Sequence, residues 1–158
     1  MAEKNNMSKV DELQCVTFFL SGEVYALDVM RVQEVLRVGE ISPVPGAPEY
    51  VLGIINLRGN VVTVIDARQR LGLEFTEPDD SSRIIVLEAA GQDVGILVDG
   101  VAEVVRIRQD EIDPSPSVGN EEAARYIHGV ASRDKELIIV VDVEKLLNEE
   151  EWAELAAM

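Results

Sequence analysis

A single cysteine, Cys15, is the only thiol in the chain, so an internal disulfide and any multi-cysteine metal site are excluded. It lies in the apolar run Gln14-Cys15-Val16-Thr17-Phe18-Phe19-Leu20, where a free cysteine reads as a small core residue. Histidine is equally scarce: His128 stands alone. No GxGxxG, P-loop, HExxH or CxxC motif occurs, which removes the common nucleotide, zinc-protease and redox signatures. Aromatics amount to three phenylalanines, three tyrosines and one tryptophan, so Val, Ile, Leu and Ala must form most of the core. Long apolar runs are missing as well. The longest stretch without a charge, Leu13 to Gly22, has ten residues, where a bilayer span needs about 18. The polar start, Met1 to Glu12, has no signal-peptide core. A soluble cytoplasmic protein, with no direct membrane insertion, is expected.

Positive charge is in short supply. Fourteen Lys and Arg face 30 Asp and Glu, a net charge of −16. Such a field repels phosphate backbones, so nucleic acid and anionic lipid are not expected partners. With 47% apolar residues in 158, the chain can bury an ordinary core, as one compact domain or two small fused ones.

What the chain does have is a repeat of itself. Gly22, Glu34 and Arg37 recur 69 residues later as Gly91, Glu103 and Arg106. Pro43-Val44-Pro45 recurs as Pro114-Ser115-Pro116 at an offset of 71. Tyr50-Val51-Leu52-Gly53-Ile54 matches Tyr126-Ile127-His128-Gly129-Val130 at an offset of 76. Val61 to Asp66 then matches Leu137 to Asp142, and Leu71 matches Leu147, at that same offset. Two copies of one unit are implied.

Apolar runs of four to eight residues separated by turn residues mark short strands, and strands at this spacing point to a small β-barrel or sandwich. The expected strands are 14–20, 23–29, 34–38, 53–57 and 60–65 in the first copy. In the second they are 83–89, 93–98, 102–107, 127–132 and 136–141. The expected organisation is a flexible tail over 1–12, a first barrel over 13–76, a flexible link near Thr76 to Ser82, a second barrel over 82–147 and a C-terminal helix over 148–158. Val61 to Ile65 and Leu137 to Val141 are almost continuously apolar, so each strand must bury both faces. One face fills its own barrel; the other meets the other copy, giving a third core and a groove between barrels.

Asp66 and Asp142 occupy equivalent positions. They could be an acid–base pair, but each ends a strand before helical turns and is better placed as an N-cap. Asn148 caps the last helix, Glu149, Glu150 and Glu151 suit its positive end, and Trp152, Leu155 and Ala156 share one face. His128 aligns with Leu52 and is expected to be packed rather than catalytic. No carboxylate pair is singled out by spacing, so enzymatic activity, a cofactor and a metal are not expected.

One asymmetry separates the copies. Asn56-Leu57-Arg58-Gly59 occurs in the first, while Ser132-Arg133-Asp134-Lys135 replaces it in the second. Asn and Gly tolerate positive φ, so the segment reads as a hairpin turn with a solvated Arg58. Alternatively, Arg58 is a recognition residue, a planar charged fork suited to a partner's carboxylate or backbone.

The run Val29-Met30-Arg31-Val32-Gln33-Glu34-Val35-Leu36, followed by Val44-Pro45-Gly46-Ala47-Pro48 and Tyr50 to Gly59, resembles the CheW family of chemotaxis coupling proteins. Val62 to Arg68 and Gly95 to Val101 continue the resemblance in order, over about residues 13 to 148. It implies a mainly β fold: two SH3-like five-stranded barrels from an internal duplication, packed side by side. It also implies two partners, the regulatory domain of a CheA-type histidine kinase and the helical cytoplasmic tip of chemoreceptors. The positions matching the family's receptor contacts are Val32, Glu34, Gly53, Asn56, Leu57, Arg58, Gly95, Val98 and Val104. Leu36, Val38, Ile41 and Val44 match the barrel-end kinase contacts. The isolated protein is expected to be monomeric. Competing readings are a coupling module detached from a larger kinase or CheV-like protein, and a small-molecule-binding double barrel.

Overall fold

The structure, a computed structural model, describes residues 12–114 and 125–158. Eleven strands appear in chain order: β1 Glu12–Leu20, β2 Glu23–Asp28, β3 Val32–Arg37, β4 Val51–Leu57, β5 Asn60–Ile65, β6 Arg83–Ala89, β7 Gln92–Val98, β8 Gly100–Arg108, β9 Ile112–Asp113, β10 Ile127–Arg133 and β11 Glu136–Val141. A single-turn helix α1 (Ala67–Arg70) follows β5, and α2 (Glu149–Ala157) ends the chain. The ten expected strands are present within two residues at each end. The short β9 was not expected. The expected tail lies outside the described residues except for Glu12, which starts β1, and the second proline pair runs into residues 115–124, also outside them.

Hydrogen bonding assembles these strands into two sheets. One has the order β8-β1-β2-β11-β10-β9, the other β3-β6-β7-β5-β4. The expected division at residues 76–82 does not separate them. Each sheet takes its first hairpin from one copy and its remaining strands from the other. Replacing every strand by its equivalent converts one order into the other, β9 apart, so the two copies have exchanged hairpins symmetrically. Register is preserved too: the parallel pair Thr63↔Val94 and Val64↔Gly95 in one barrel is Ile139↔Tyr25 and Val140↔Ala26 in the other. The reason is the chain's path after β2 and β7. It enters a three-residue helical turn at Val29–Arg31, or bends at Asp99, and passes to the neighbouring barrel instead of folding back.

All four two-residue hairpins have positive φ at both central residues: Ser21-Gly22, Arg58-Gly59, Ala90-Gly91 and Asp134-Lys135. That is the type I′ geometry whose twist matches the flanking strands.

Three cores result. Cys15, Ala26, Ile107, Ala131, Ile138 and Val140 fill the six-stranded barrel, while Ile55, Val62, Val64, Ile84 and Val86 fill the five-stranded one. Between them lies the largest core, with Phe18, Leu20, Tyr25, Leu27 and Ile139 from one side and Ile65, Ile85, Leu87, Val94 and Ile96 from the other. Side chains alternate along β11 between the barrel (Ile138, Val140) and the inter-barrel core (Ile139, Val141). That is the two-faced burial inferred from the apolar runs. The runs are less uniform than expected at their first residues, since Val61 and Leu137, next to the hairpins, are exposed.

Helix α2 docks through Trp152 and Leu155, as its periodicity indicates, but Ala156 is exposed. The Trp152 indole donates to the Glu144 carbonyl at 2.9 Å, and the Gln92 amide donates to the Trp152 carbonyl at 2.8 Å. Asn148 accepts from the Glu151 amide at 2.8 Å, and Glu151 accepts in turn from the Asn148 amide, a full capping box. The link toward Ser82, expected to be flexible, closes in a hydrogen-bonded turn: Asp79 accepts from the Ser81 amide at 2.8 Å and Ser82 is buried.

Val64 is fully buried in the centre of a barrel. Val64→Asp is expected to lose about 3–5 kcal/mol, the scale of an uncompensated buried charge, as read by urea denaturation.

Candidate functional site

The Arg58-Gly59 hairpin is built by its neighbours. Arg58 has φ 52° and Gly59 φ 87°, and the Asn56 carboxamide oxygen accepts from the Gly59 amide at 2.9 Å. Asn56 is thus a turn-forming residue. A left-handed arginine costs about 1 kcal/mol, and here it directs the guanidinium toward β3. Both Arg58 terminal nitrogens donate to the Glu34 carboxylate, at 2.9 and 2.7 Å. The two oxygens meet the planar fork in the bidentate manner that distinguishes arginine from lysine. Arg58 is mostly solvent-exposed and Glu34 half-buried. The hydrogen bond from Arg58 holds the Glu34 carboxyl below the usual glutamate range.

The register explains which other candidates join them. A bulge between Val32 and Glu34 puts Val32 opposite Leu87 and Glu34 opposite Val86. Val32 therefore packs on the inter-barrel core, while Glu34 sits over the five-stranded barrel, where the half-buried Leu57 also packs. Val32, Glu34, Asn56, Leu57 and Arg58 thus belong to β3 and the β4–β5 hairpin of one barrel. Val104 is 54% exposed on β8 of the other.

Three candidates are interior. Val98 is 1% exposed in the inter-barrel core. Gly95 is buried, and a Cβ there would lie 2.9 Å from Ile84 Cγ2; its equivalent, Ala26, is also small and fully buried. A Cβ on Gly53 would lie 2.4 Å from the Ser42 carbonyl oxygen. Its equivalent, Gly129, meets Asp113 in the same way at 2.7 Å. Both glycines are packing requirements where a third segment bridges the hairpin, at Ser42↔Ile54 and Asp113↔Val130.

Val35 was missed. It is exposed on β3 and is the equivalent of Val104 at the 69-residue offset, so the repeat itself could have found it. Among the kinase candidates, Leu36, Val38 and Ile41 are partly buried and each packs against the five-stranded barrel core. Val44 is apart from them, in a concavity of about 410 Å³ that it shares with Pro45, Pro48 and the C-terminal Ala157 and Met158.

The structure offers little to chemistry. Asp66 and Asp142 are N-caps, accepting from the amides of Gln69 at 3.2 Å and Glu144 at 3.1 Å. His128 is exposed rather than packed, because it lies on the outer side of β10. Burial pushes the Cys15 thiol up to about 12, so it remains protonated and unreactive. Among the described residues no group of three His, Cys, Asp or Glu could hold a metal, and no helix is long and apolar enough to cross a membrane.

Two outcomes are expected. Gly53→Ala loses about 1–3 kcal/mol by overpacking, measured by chemical denaturation. The Glu34 carboxyl, followed by NMR, titrates below the ordinary glutamate range and returns toward it in Arg58→Ala. Because the folded value is the lower one, this pair's stabilisation is complete above the unfolded glutamate range and is lost as pH falls through the folded value.

A family model described as the CheW-like domain matches residues 14–151. The chain is 33% identical to "Chemotaxis protein CheW" of Treponema pallidum over 92% of this chain and 88% of that one. It is 32% identical to the protein of the same name from Thermotoga maritima over 87% and 89%. The crystal structure of the scaffolding protein TtCheW from Thermoanaerobacter tengcongensis superposes with a TM-score of 0.79 at 36% identity, covering 88% of this chain and 94% of that one. With its duplicated SH3-like barrels and its Glu34–Arg58 surface, the chain belongs to the CheW family, the non-catalytic scaffolds of chemotaxis that link receptors to the kinase CheA.

Proposed function

We propose that this adaptor binds the helical tip of a chemoreceptor across the junction of its two barrels, with Val32, Glu34, Leu57 and Arg58 on one side and Val104 on the other. The observation that carries the reading is the surface fork of Arg58 on Glu34. Arg68 and Arg70 serve the fold, buried against Asp99 and held by Glu151, and the exposed fork of Arg108 closes on Asp110 only two residues away. Arg58 instead stands at an exposed hairpin tip at a backbone cost, and its outward edge remains available to a partner's carboxylate or carbonyl. Apolar side chains from a receptor helix would rest beside this polar rim, in the helix-in-groove mode. Val35 extends that surface. Gly53, Asn56, Gly95 and Val98 act from beneath, by shaping the hairpin and the strands.

The regulatory domain of a CheA-type kinase is assigned to the apolar barrel end formed by Leu36, Val38 and Ile41, with Val44 contributing from the neighbouring loop. Separate sites let one small protein hold receptor and kinase at once. A signal passes as a shift between two arrangements of the assembly, which requires the adaptor to bind one arrangement more tightly. The adaptor works in the cytoplasm, monomeric until recruited to receptor arrays.

Titration calorimetry tests the assignment with a soluble receptor-tip fragment and the kinase regulatory domain as separate ligands. Arg58→Ala is expected to weaken receptor binding at least tenfold, about 1.4 kcal/mol, and to leave kinase binding unchanged. Its stability should stay within about 0.5 kcal/mol of the parent, as for a surface site. Val38→Ala should show the opposite selectivity. Unchanged receptor affinity in Arg58→Ala overturns the receptor surface.

A further inference from the structure

We infer that Arg31 and Glu144 are positioning residues for the receptor surface: their ion pair pins the crossover leading into β3, and with it Val32 and Glu34. The inference rests on the receptor surface proposed above.

Among the described residues the chain passes between the two barrels twice, at Val29–Arg31 from β2 to β3 and at Asp99 from β7 to β8. The second crossover is tied down by one carboxylate oxygen. Asp99 Oδ2 accepts from the Ser21 amide of the β1–β2 hairpin at 2.8 Å and from Arg68 at 2.5 Å. The first crossover is tied in the same way with the charges exchanged. Glu144 Oε2 accepts from the Ala90 amide of the β6–β7 hairpin at 2.8 Å and from Arg31 at 3.2 Å. Ser21 and Ala90 are equivalent at the 69-residue offset, and Arg68 and Glu144 at 76. Each clasp therefore joins a crossover, the hairpin of one barrel and the helical turn of the other. At the second crossover the acid is on the crossover and the base on the turn; at the first they are reversed.

Their environments differ. Arg68 is 9% exposed and also donates to Ser21 Oγ at 3.1 Å and to the Glu74 carbonyl at 2.8 Å. Arg31 and Glu144 are 40% and 41% exposed, where solvent and salt weaken an ion pair. The Arg68 clasp is thus a fixed part of the fold, and the Arg31 clasp is the adjustable one. Arg31 immediately precedes Val32 and lies three residues before Glu34, on the side of the β3 bulge nearer the crossover. Releasing it frees the start of an edge strand that has only β6 as a neighbour.

The test compares Arg31→Glu with the exchanged pair R31E/E144R, which gives the first crossover the charge order of the second. Arg31→Glu is expected to speed amide exchange at Val32 and Glu34 and to weaken receptor-tip binding three- to fivefold, the scale of a half-exposed ion pair, with thermal stability almost unchanged. R31E/E144R should restore both. Loss of binding in the single variant without recovery in the pair would make Arg31 a direct contact and overturn the inference, as would unchanged β3 exchange in Arg31→Glu. If the parent protein fails to bind the receptor tip, the receptor reading is what has failed. The exchange measurement then still decides the clasp, supporting it if β3 loosens in the single variant and tightens again in the pair.

Discussion

The apolar seam between the barrels is the constraint on which the other features depend. Strands β5, β6, β7 and β11 send alternate residues inward to a barrel and outward to this seam, so away from their hairpin ends both faces are covered. A free barrel would expose Ile65, Ile85, Leu87 and Ile96, or Phe18, Leu20, Leu27 and Ile139, all buried here. Burying one such side chain contributes about 1.5–3 kcal/mol, so the barrels have no incentive to part. The Phe18–Tyr25 stack, with centroids 5.7 Å apart, lies in the same seam. Helix α2 closes it with Trp152 and Leu155.

Hairpin exchange strengthens this dependence. Because β1 and β2 complete the barrel formed by the second copy, and β6 and β7 the barrel formed by the first, neither half of the chain contains a whole barrel. The equal register of the two parallel pairs shows why exchange is tolerated: the copies present interchangeable edges. The same symmetry makes the differences informative. Arg58 is replaced by Asp134 and Leu57 by Arg133, so the equivalent turn in the other barrel cannot form the fork on its own Glu103. Instead, the Glu103 backbone is bound on both sides by the buried Thr17 hydroxyl. One barrel thus carries a bidentate Arg58–Glu34 pair that the other does not have.

Much of the sequence around the Arg58–Glu34 pair is given to support. Gly53 and Gly95 leave no room for a Cβ, Val98 packs in the seam, and Asn56 holds the Arg58-Gly59 turn. The clasps at the crossovers extend the same principle. Charge is used sparingly in positive form, and apart from Arg58 the ion pairs of Arg31, Arg68 and Arg70 each join segments distant in sequence.

Much of this was legible in advance. Alternation, turn residues and the internal repeat located the strands to within two residues at each end, and the two-faced runs at Val61–Ile65 and Leu137–Val141 required a third core. The N-caps at Asp66, Asp142 and Asn148 followed from local chemistry, because a cap is satisfied within three residues. Three features were not legible: which copy completes which barrel, the burial of Val98 and Gly95, and the exposure of His128, Val61 and Ala156. A hydrophobic period reports that a side chain is buried but not against what, and two copies with the same pattern offer the same pairing energy. The sequence by itself determined the strands, their turns and the need for a seam. Only the tertiary structure decided the exchange of hairpins and the meeting of Arg58 with Glu34, because both depend on contacts between segments whose separation along the chain carries no local signal.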